Sequence, residues 1–482
     1  MSSATAPASA DPRPSSDGYR PEPGSFRDRS ARVFYVDGTV CRGLNRGAWE
    51  EWQALVQTSF FQRSLTDGRI VETEVADAAG RSDAGPSAEW SGVLRHRAIP
   101  FVTYPYEWSF GMLQDAALLQ LELLAAALDE GMTLKDASPF NLQWRGSRPV
   151  FIDVASFVRY RAGEPWTGYR QFCRLFLYPL LLQAHKQVPF QPWLRGRLDG
   201  IDADECRALM SFRDLFRPGV FTHVVLQSRL QQHYGSNGHN VKRDLKRAGF
   251  GRALIAANVA QLQKLVRALR WAPGSSGWSE YVDQHNYDQS DRQAKEEFVE
   301  RVLGERHRSL VWDLGCNIGR FSRIAEKYAD YVVAADSDHA SVERLYQSLK
   351  VSGSVKVMPL VLDVTDPSPD LGWRGLERRA MLGRGRPDLV LSLALVHHLV
   401  ITSNIPLADI VEWFRELGGE VVVEFPTRDD EMVKQLLRNK DQAYEDYRTE
   451  FFEACLANHF ELCQRIVLPS GHRIIYHLKP RL

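Results

Sequence analysis

Short apolar runs alternate with amphipathic stretches along the C-terminal part of the chain. The runs that have the length and character of strands are Ser309–Leu314, Tyr331–Ala335, Val355–Leu362, Asp388–Leu393 and Glu420–Phe425. Helical patterns separate several of them, and Ala408–Leu417 is one. Because near-continuous apolar strands alternating with helices are typical of a parallel sheet buried on both faces, we expect an α/β, doubly wound fold. The β-rich end, Glu461–Leu478, predicts a final antiparallel hairpin.

The N-terminal half has a different pattern. Val33 to about Val75 predicts a small β-containing unit, Gln114–Glu130 a strongly apolar helix, and Tyr169–Leu269 a mostly helical stretch. The turn-rich segment Trp271–Gly277 predicts a domain boundary. We therefore expect an accessory or substrate domain over residues 31–270 and a second domain over 271–482. Residues 1–30 are rich in Ser, Ala and Pro, have few large apolar side chains and predict a disordered tail.

Composition narrows the choice of partners and compartment. Hydrophobic residues make up 44% and charged residues 25%, which is an ordinary globular mixture. The 60 basic residues balance the 60 acidic ones, so no nucleic-acid partner is favoured. The six cysteines form no CxxC pair, which indicates reduced thiols and no structural metal site. The chain start lacks a signal-peptide pattern and no apolar run is long enough to cross a bilayer, so we expect a cytoplasmic protein without a membrane partner. The oligomeric state stays open.

The strongest chemical signal is the sequence VWDLGCNIGRF, residues 311–321. An apolar strand leads into Asp313, Gly315 and Gly319, and a helical pattern follows. Glycines at such a turn allow a tight bend and a close approach of the backbone to a ligand. Asp336 ends the next strand about 20 residues later, where an acid can bind both hydroxyls of a ribose. The third glycine of a dinucleotide fingerprint and the GK[ST] of a phosphate loop are both missing from this segment.

Residues 309–425 resemble a class I S-adenosylmethionine-dependent methyltransferase. The segment from Asp313 to Gly319 matches the first motif of that family, with Asn317 where many relatives have glycine. Asp363, in VLDVTD, matches the acid that bonds the adenine amino group, and DLVLSLALVHHLV matches the fourth-strand motif facing the methyl donor.

The resemblance implies a Rossmann-like, seven-stranded methyltransferase sheet and S-adenosyl-L-methionine as the cofactor. The cofactor-binding set that it implies is Asp313, Gly315, Cys316, Asn317, Gly319, Asp336, Ser337, Asp363, Val364, Ser392, Ala394, Tyr281 and Tyr287. Some of these positions have a second interpretation. Asp363 could simply cap the turn that follows it, without a role in binding. The two tyrosines could pack against the sheet. Cys316 is better explained as a packing residue than as a nucleophile.

Three residues are candidates for catalysis. His397 and His398 follow the fourth strand at the edge where open α/β sheets hold their ligands. A histidine there could deprotonate an oxygen or nitrogen nucleophile near neutral pH. Glu424 ends the fifth strand, and we expect it at the rim of the cleft with a role towards the substrate. Alternatively, one histidine satisfies a backbone carbonyl and the other faces the cofactor loop. Methyl transfer needs a base only when the acceptor is protonated and poorly nucleophilic.

A second resemblance lies in the N-terminal half, where Gly131–Phe157 is similar to the catalytic-loop region of kinase-like folds. Asp136 and Asn141 have the D-x-x-x-x-N spacing of a catalytic base and a magnesium ligand, and Asp153 follows an apolar run as a metal-binding acid would. The first lysine of the chain is Lys135, and no glycine-rich loop precedes it. The resemblance therefore implies a degenerate, α+β kinase-like domain.

The order of these segments resembles the nodulation host-specificity type of methyltransferase, which implies a small-molecule or carrier-bound specialised metabolite as the acceptor. Three alternatives remain open at this stage. They are an ATP-dependent phosphotransferase of the kinase-like domain, a non-methylating S-adenosylmethionine-using enzyme and a protein that only binds the cofactor. The Arg-rich turn Arg374–Arg386 is expected to be a solvated loop, with nucleic-acid contact as its less favoured interpretation.

Overall fold

The computed structural model describes residues 19–76, 90–229, 251–272, 289–438, 440 and 444–481. The strands are β1 Tyr19–Pro21, β2 Ala31–Val36, β3 Thr39–Leu44, β4 Thr73–Val75, β5 Gly92–His96, β6 Met132–Leu134, β7 Leu142–Arg145, β8 Arg148–Phe151, β9 Phe157–Arg159, β10 Arg308–Leu314, β11 Ala329–Asp336, β12 Val357–Val361, β13 Leu389–Ser392, β14 Glu420–Pro426, β15 Phe460–Val467 and β16 Arg473–Pro480. The α-helices are α1 Arg46–Val56, α2 Ser59–Thr66, α3 Phe110–Asp129, α4 Tyr169–Phe172, α5 Tyr178–Lys186, α6 Gln191–Gly196, α7 Ala203–Leu209, α8 Arg252–Ala268, α9 Gln289–Gly304, α10 Arg320–Ala325, α11 His339–Ser352, α12 Leu407–Leu417, α13 Glu431–Leu437 and α14 Thr449–His459.

The N-terminal region begins with an antiparallel sheet in the order β1-β2-β3-β5-β4. Asp37 and Gly38 close the β2–β3 hairpin with φ angles of 47° and 79°, which is the left-handed geometry that tight hairpin turns need. The side chain of Asn45 accepts a hydrogen bond from the Ala48 N–H at 2.9 Å and so caps the start of α1. Two small antiparallel pairs, β6–β9 and β7–β8, follow the sheet.

Helix α3 forms the centre of the N-terminal region. Its sequence is apolar on nearly all sides, and most of its residues are buried, as expected for a helix enclosed by other elements. By length and composition it could cross a membrane, but 67% of the apolar window is buried within the protein, and core helices pass the same test. The helix predicted at Gln114–Glu130 is thus present, and it starts one turn earlier.

The C-terminal region contains a seven-stranded sheet in the order β12-β11-β10-β13-β14-β16-β15. Strands β10 to β14 are mutually parallel, and β16 pairs antiparallel with both β14 and β15. Strands β12, β13 and β14 are buried along their whole length, and β10 and β11 are buried except near their ends. The parallel sheet and the closing hairpin agree with the pattern in the sequence, and the reversal of strand order at β10 and β13 opens a crevice at their carboxyl ends.

One face of this sheet is covered by the N-terminal region. Among its described residues, the connection from β12 to β13 contains two short 3-10 turns and no α-helix. Phe101 instead packs edge-on against Trp312 of β10, with ring centroids 6.3 Å apart. The hydroxyl of Tyr331 on β11 accepts a hydrogen bond from the Gly146 N–H at 3.1 Å. A single hydrophobic core therefore continues from α3 into the sheet. The domain boundary at 271–277 remains a prediction, since residues 273–277 lie outside the described part.

Two expectations about the surface need correction. Residues 19–30 are not a free tail, because β1 pairs with β2 and Glu22 accepts a hydrogen bond from Arg379 at 2.7 Å. Short strand pairing and ion pairs hold this segment where apolar burial is small. The turn Arg374–Arg386 is not simply a solvated loop, because the Arg384 side chain is only 2% exposed and pairs with the equally buried Glu107.

Candidate functional site

A pocket of about 710 Å³ lies at the carboxyl ends of β10, β11, β12 and β13. This is within the usual range for sites that bind small molecules and cofactors. Residues from the glycine loop, from the ends of the strands, from α9 and α10, and from the turn after β13 surround it. The predicted site residues that line it are Asp313, Gly315, Cys316, Asn317, Asp336, Ser337, Asp363, Val364, Ala394 and His398.

The glycine loop is fixed to the neighbouring strand. The N–H groups of Gly315 and Cys316 both donate to the carbonyl of Ala335, at 2.9 and 3.1 Å. Gly315 and Gly319 have φ angles of 74° and 78°, which side-chain-bearing residues rarely adopt. A Cβ atom on Gly319 would also collide with Leu345 of α11, so this glycine permits close packing between helices behind the pocket. Burial raises the pKa of the Cys316 thiol well above its ordinary value, which argues against a thiolate nucleophile.

Asp336 links the second strand to the glycine loop. One carboxylate oxygen accepts the Asn317 N–H and the other accepts the Asp338 N–H, both at 2.8 Å. Burial raises the pKa of Asp336 despite these bonds. Asn317 itself has a φ of 49°, and its buried side-chain oxygen has no hydrogen-bond partner among the described residues. An acceptor left free at the wall of a pocket is suited to a donor group on a ligand.

Asp313 lies deeper, at the end of β10. Its carboxylate accepts a hydrogen bond from the Ser322 hydroxyl at 2.5 Å. Burial raises its pKa to about 6, with the nearby charge of Asp336 acting in the same direction. A cation in the pocket would favour the ionised form of this acid.

The loop after β12 brings Asp363 and Val364 to the pocket wall. One Asp363 oxygen accepts hydrogen bonds from both the N–H and the hydroxyl of Thr365, at 2.9 and 2.7 Å. The capping role that the sequence left open is therefore present. It fixes one carboxylate oxygen and accounts for the orientation of the side chain.

Two predicted positions, at the ends of β13 and β14, differ from expectation. Ser392 is fully buried and does not line the pocket. In a strand, neighbouring side chains point to opposite faces, and Ser392 shares its face with Val390, in the core next to the N-terminal region. Ala394, two residues on, lines the pocket with a φ of 51°. Glu424 is also fully buried and does not line the pocket, so it is not at the rim of the cleft.

Glu424 is the centre of a buried ion network. It pairs with Lys295 of α9 on one side and accepts a hydrogen bond from Arg473 at 3.0 Å on the other. Arg473 also pairs with Asp430 at 2.7 Å. Burial by itself would raise the pKa of Glu424, but the charges of Lys295 and Arg473 outweigh it and bring the pKa to about 2. A carboxylate that is this strongly ionised and enclosed has no role as a proton acceptor at neutral pH.

Sequence reasoning missed Lys295, which lines the pocket beside Asp313. A usable signal existed, because Lys295 shares the helical spacing of the buried residues Phe298, Val299 and Val302 of α9. A lysine on an apolar stripe indicates a buried partner. Arg473 was missed as well, and its strand carries no comparable signal.

The two histidines differ in their access to the pocket. His398 lines the pocket, whereas His397 is only 1% exposed and lies behind it. The centroids of their rings are 4.0 Å apart. Burial lowers the pKa of His398 to about 4 and lowers that of His397 well below its ordinary value, with Arg473 acting in the same direction on both. Both imidazoles are thus neutral at pH 7. The predicted cofactor contacts Tyr281 and Tyr287 lie outside the described residues.

The three residues of the kinase-like resemblance, Asp136, Asn141 and Asp153, do not have the surroundings of a magnesium site. Arg42 of β3 donates a hydrogen bond to Asp153 at 2.6 Å. Burial raises the pKa of Asp136, and the negative charge of Asp153 adds to the shift. Asn141 ends a 3-10 turn and its N–H bonds the Ser138 carbonyl at 3.0 Å. The acid in the metal-ligand position is therefore neutralised by an arginine.

Comparison with known proteins places the chain in a family. It is 33% identical over 462 residues to the nodulation protein NoeA of Rhizobium meliloti (strain 1021), and the alignment covers 94% of both chains. The chain belongs to the NoeA family. No family model matches it.

Solved structures similar to this NoeA-family chain include methyltransferases. N-methyltransferase NodS from Bradyrhizobium japonicum WM9, in complex with S-adenosyl-L-homocysteine, is 10% identical with a TM-score of 0.32, covering 43% of this chain and 100% of NodS. Magnesium protoporphyrin IX methyltransferase from Synechocystis PCC 6803, with the same compound bound, is 16% identical with a TM-score of 0.31 and coverages of 42% and 94%.

Proposed function

We propose that this protein is an S-adenosylmethionine-dependent methyltransferase of class I that acts in the cytoplasm on a small-molecule or carrier-bound metabolite. One observation carries the proposal. The glycine loop and the acids Asp313, Asp336 and Asp363, which are far apart in the sequence, all line the same pocket at the carboxyl edge of the sheet. Ligands of open α/β sheets bind at this edge.

The residues of the pocket fit the proposed cofactor. S-adenosylmethionine carries a sulfonium and an ammonium cation, and the buried acid Asp313 at the pocket wall supplies negative charge, while the charge of the neighbouring Lys295 is taken up by Glu424. Asp336, held by the loop N–H groups, retains lone pairs for the hydroxyls of a ribose. Asp363 and Val364 form the wall that an adenine ring would contact. The free side-chain oxygen of Asn317 would accept a further hydrogen bond.

The cofactor supplies an activated methyl group, and the protein mainly has to bind, orient and exclude water. His398 is the histidine that faces the pocket, and it is neutral at pH 7. A pKa of about 4 also makes it a weak base, so its role would be to orient an acceptor hydroxyl or amine by accepting a hydrogen bond from it. His397 would act behind it as a packing and positioning residue. Thr402 and Ser403, in the turn after β13, line the same side and offer hydroxyls to an acceptor.

The phosphotransferase alternative is disfavoured by the Arg42–Asp153 ion pair. A magnesium ion at Asp153 would have to displace an arginine that is 12% exposed and hydrogen-bonded at 2.6 Å. A structural role thus explains the kinase-like segment better than phosphate transfer does. A non-methylating use of the cofactor remains the second candidate, since the pocket does not specify the reaction.

Two measurements test the proposal. We expect calorimetric binding of S-adenosylmethionine, weakened at least tenfold in Asp336→Ala and less in Asp336→Asn, because a charge-assisted hydrogen bond contributes about 1.5–3 kcal/mol. Asp330→Ala is the matched control, since this exposed acid lies on the same strand and pairs with His307. Unchanged affinity in Asp336→Ala would refute the site. Release of labelled methyl to an acceptor pool then separates a methyltransferase from a protein that only binds the cofactor.

A further inference from the structure

The loop that carries Asp363 is held from outside the pocket by the N-terminal region. Arg195, in the last turn of α6, donates hydrogen bonds to both carboxylate oxygens of Asp366, at 2.9 and 3.1 Å. The same guanidinium also reaches the backbone carbonyls of Asp366 and Pro367, at 3.2 and 3.4 Å. Because two of these bonds go to backbone atoms, Arg195 fixes the path of the chain at 366–367 as well as the side chain of Asp366.

The held residue closes the turn that presents Asp363. The Asp366 N–H donates to the Asp363 carbonyl at 3.2 Å. Inside that turn, the Thr365 N–H and hydroxyl both bond one Asp363 oxygen. Asp363 and Asp366 are therefore the two ends of one closed turn. A shift of its outer end would move the wall that Asp363 and Val364 contribute to the pocket.

Arg195 extends from a rigid support. The side-chain amide of Gln191, at the start of α6, donates to the carbonyl of Trp108 at 2.8 Å. Trp108 is fully buried and packs edge-on against Trp144, with ring centroids 5.6 Å apart. Leu194 of α6 is buried in the same core. The short helix from which Arg195 extends is thus anchored to the core of the N-terminal region.

We propose that Arg195 is a positioning residue through which the N-terminal region sets the affinity of the pocket for the adenine end of the cofactor. This inference rests on the function proposed above and adds a role for the N-terminal half in it. Arg195 does not line the pocket, and it acts through the turn 363–366. A partner or substrate that moved the N-terminal region would act on the cofactor by the same route.

The test uses S-adenosylhomocysteine as the probe with the full chain. We expect Arg195→Ala to raise its Kd about fivefold, because contacting residues couple by amounts that correspond to several-fold changes in binding. Arg195→Lys should recover part of the loss, since lysine keeps the charge but lacks the planar fork. Arg197→Ala is the matched control, because this arginine follows on the same segment and pairs with Glu205.

A second ligand separates positioning from general damage. S-inosylhomocysteine replaces the adenine amino group with a carbonyl oxygen, so the donor that would bond Asp363 is lost and an acceptor stands at that position instead. Its Kd should change less than about twofold in Arg195→Ala, because the lost coupling passes through that contact. An equal loss for both ligands, or an unchanged Kd for S-adenosylhomocysteine, would overturn the inference. If Arg195→Ala fails to fold, Asp366→Ala removes the same ion pair from an exposed position. Absence of binding to the unmodified protein would instead refute the proposed function.

Discussion

The buried ion pair between Glu107 and Arg384 offers a direct test of how the two halves of the chain are joined. The guanidinium donates two hydrogen bonds of 2.7 Å to the carboxylate, and both side chains are 2% exposed. Arg384 also lies about 5 Å from the ring centroids of Phe101 and Tyr104. Its carboxylate partner accepts a further bond from the Tyr104 N–H at 2.9 Å. The pair is therefore enclosed by aromatic rings at the contact between the halves.

Removal of one partner should cost much more than removal of both. Arg384→Met leaves the Glu107 carboxylate buried without its cation, and breaking a buried pair in this way costs about 3–5 kcal/mol. Glu107→Gln with Arg384→Met removes both charges and keeps an acceptor for the Tyr104 N–H. We expect that double variant to lose about 2 kcal/mol or less, because a neutral replacement of a buried pair is often tolerated.

Urea unfolding followed by tryptophan fluorescence measures the difference. The expected order of midpoints is the unmodified protein, then the double variant, then Arg384→Met. Both halves should unfold in one transition in the unmodified protein, because one core and this pair connect them. The reasoning is refuted if Arg384→Met costs less than about 1 kcal/mol, or if the double variant is no more stable than the single one.

Three further predictions concern the glycine loop, the buried acid and the accessory half. Gly319→Ala should lower the free energy of unfolding by about 2–4 kcal/mol, because the added Cβ clashes with Leu345 and strains a left-handed backbone. Gly38→Ala is the control, since Gly38 has a similar φ and its added Cβ would have no neighbour within 4 Å. It isolates the backbone strain and should cost about 1–2 kcal/mol in the same urea assay. S-adenosylmethionine affinity should fall as the pH drops through about 6, where Asp313 takes up a proton, and calorimetry of Asp313→Asn should show no such step. The pKa of Asp313 in the folded protein lies above its ordinary 3.8, so its contribution to the stability of the free protein is present at low pH and is lost as the pH rises through about 6. A melting temperature that does not fall over this pH range would contradict the assignment. A fragment of residues 289–482 should aggregate on expression, since it exposes the sheet face that the N-terminal region covers, and a monomeric, cooperatively unfolding fragment would show that this cover is dispensable.

Much of the C-terminal region follows from local sequence patterns. Apolar strands separated by helices specify a parallel sheet, because only burial on both faces satisfies such strands. Glycines at 315 and 319 specify the loop, since few other residues adopt its backbone angles. The acids at the strand ends then come together as a consequence of parallel topology, and Asp313, Asp336 and Asp363 meet at one pocket.

Other features depend on contacts between segments that are distant in the sequence. No local pattern shows that Glu424 meets Lys295 from α9 and Arg473 from β16. Its position at the end of a strand predicts access to the cleft, but these two partners enclose its side chain in the interior. Ser392 is excluded from the pocket by the alternation of side chains along β13, which a one-residue difference in register decides.

The role of the N-terminal half was likewise decided by tertiary structure. Composition and periodicity marked it as a separate unit, and the sequence alone determined its apolar helix and its small β-sheet. Only the folded chain shows that Phe101 and Gly146 cover a sheet face that the short β12–β13 connection leaves open. Such cover depends on matching apolar surfaces between two remote segments, and because the hydrophobic effect is non-directional, neither segment on its own shows which surface it will cover.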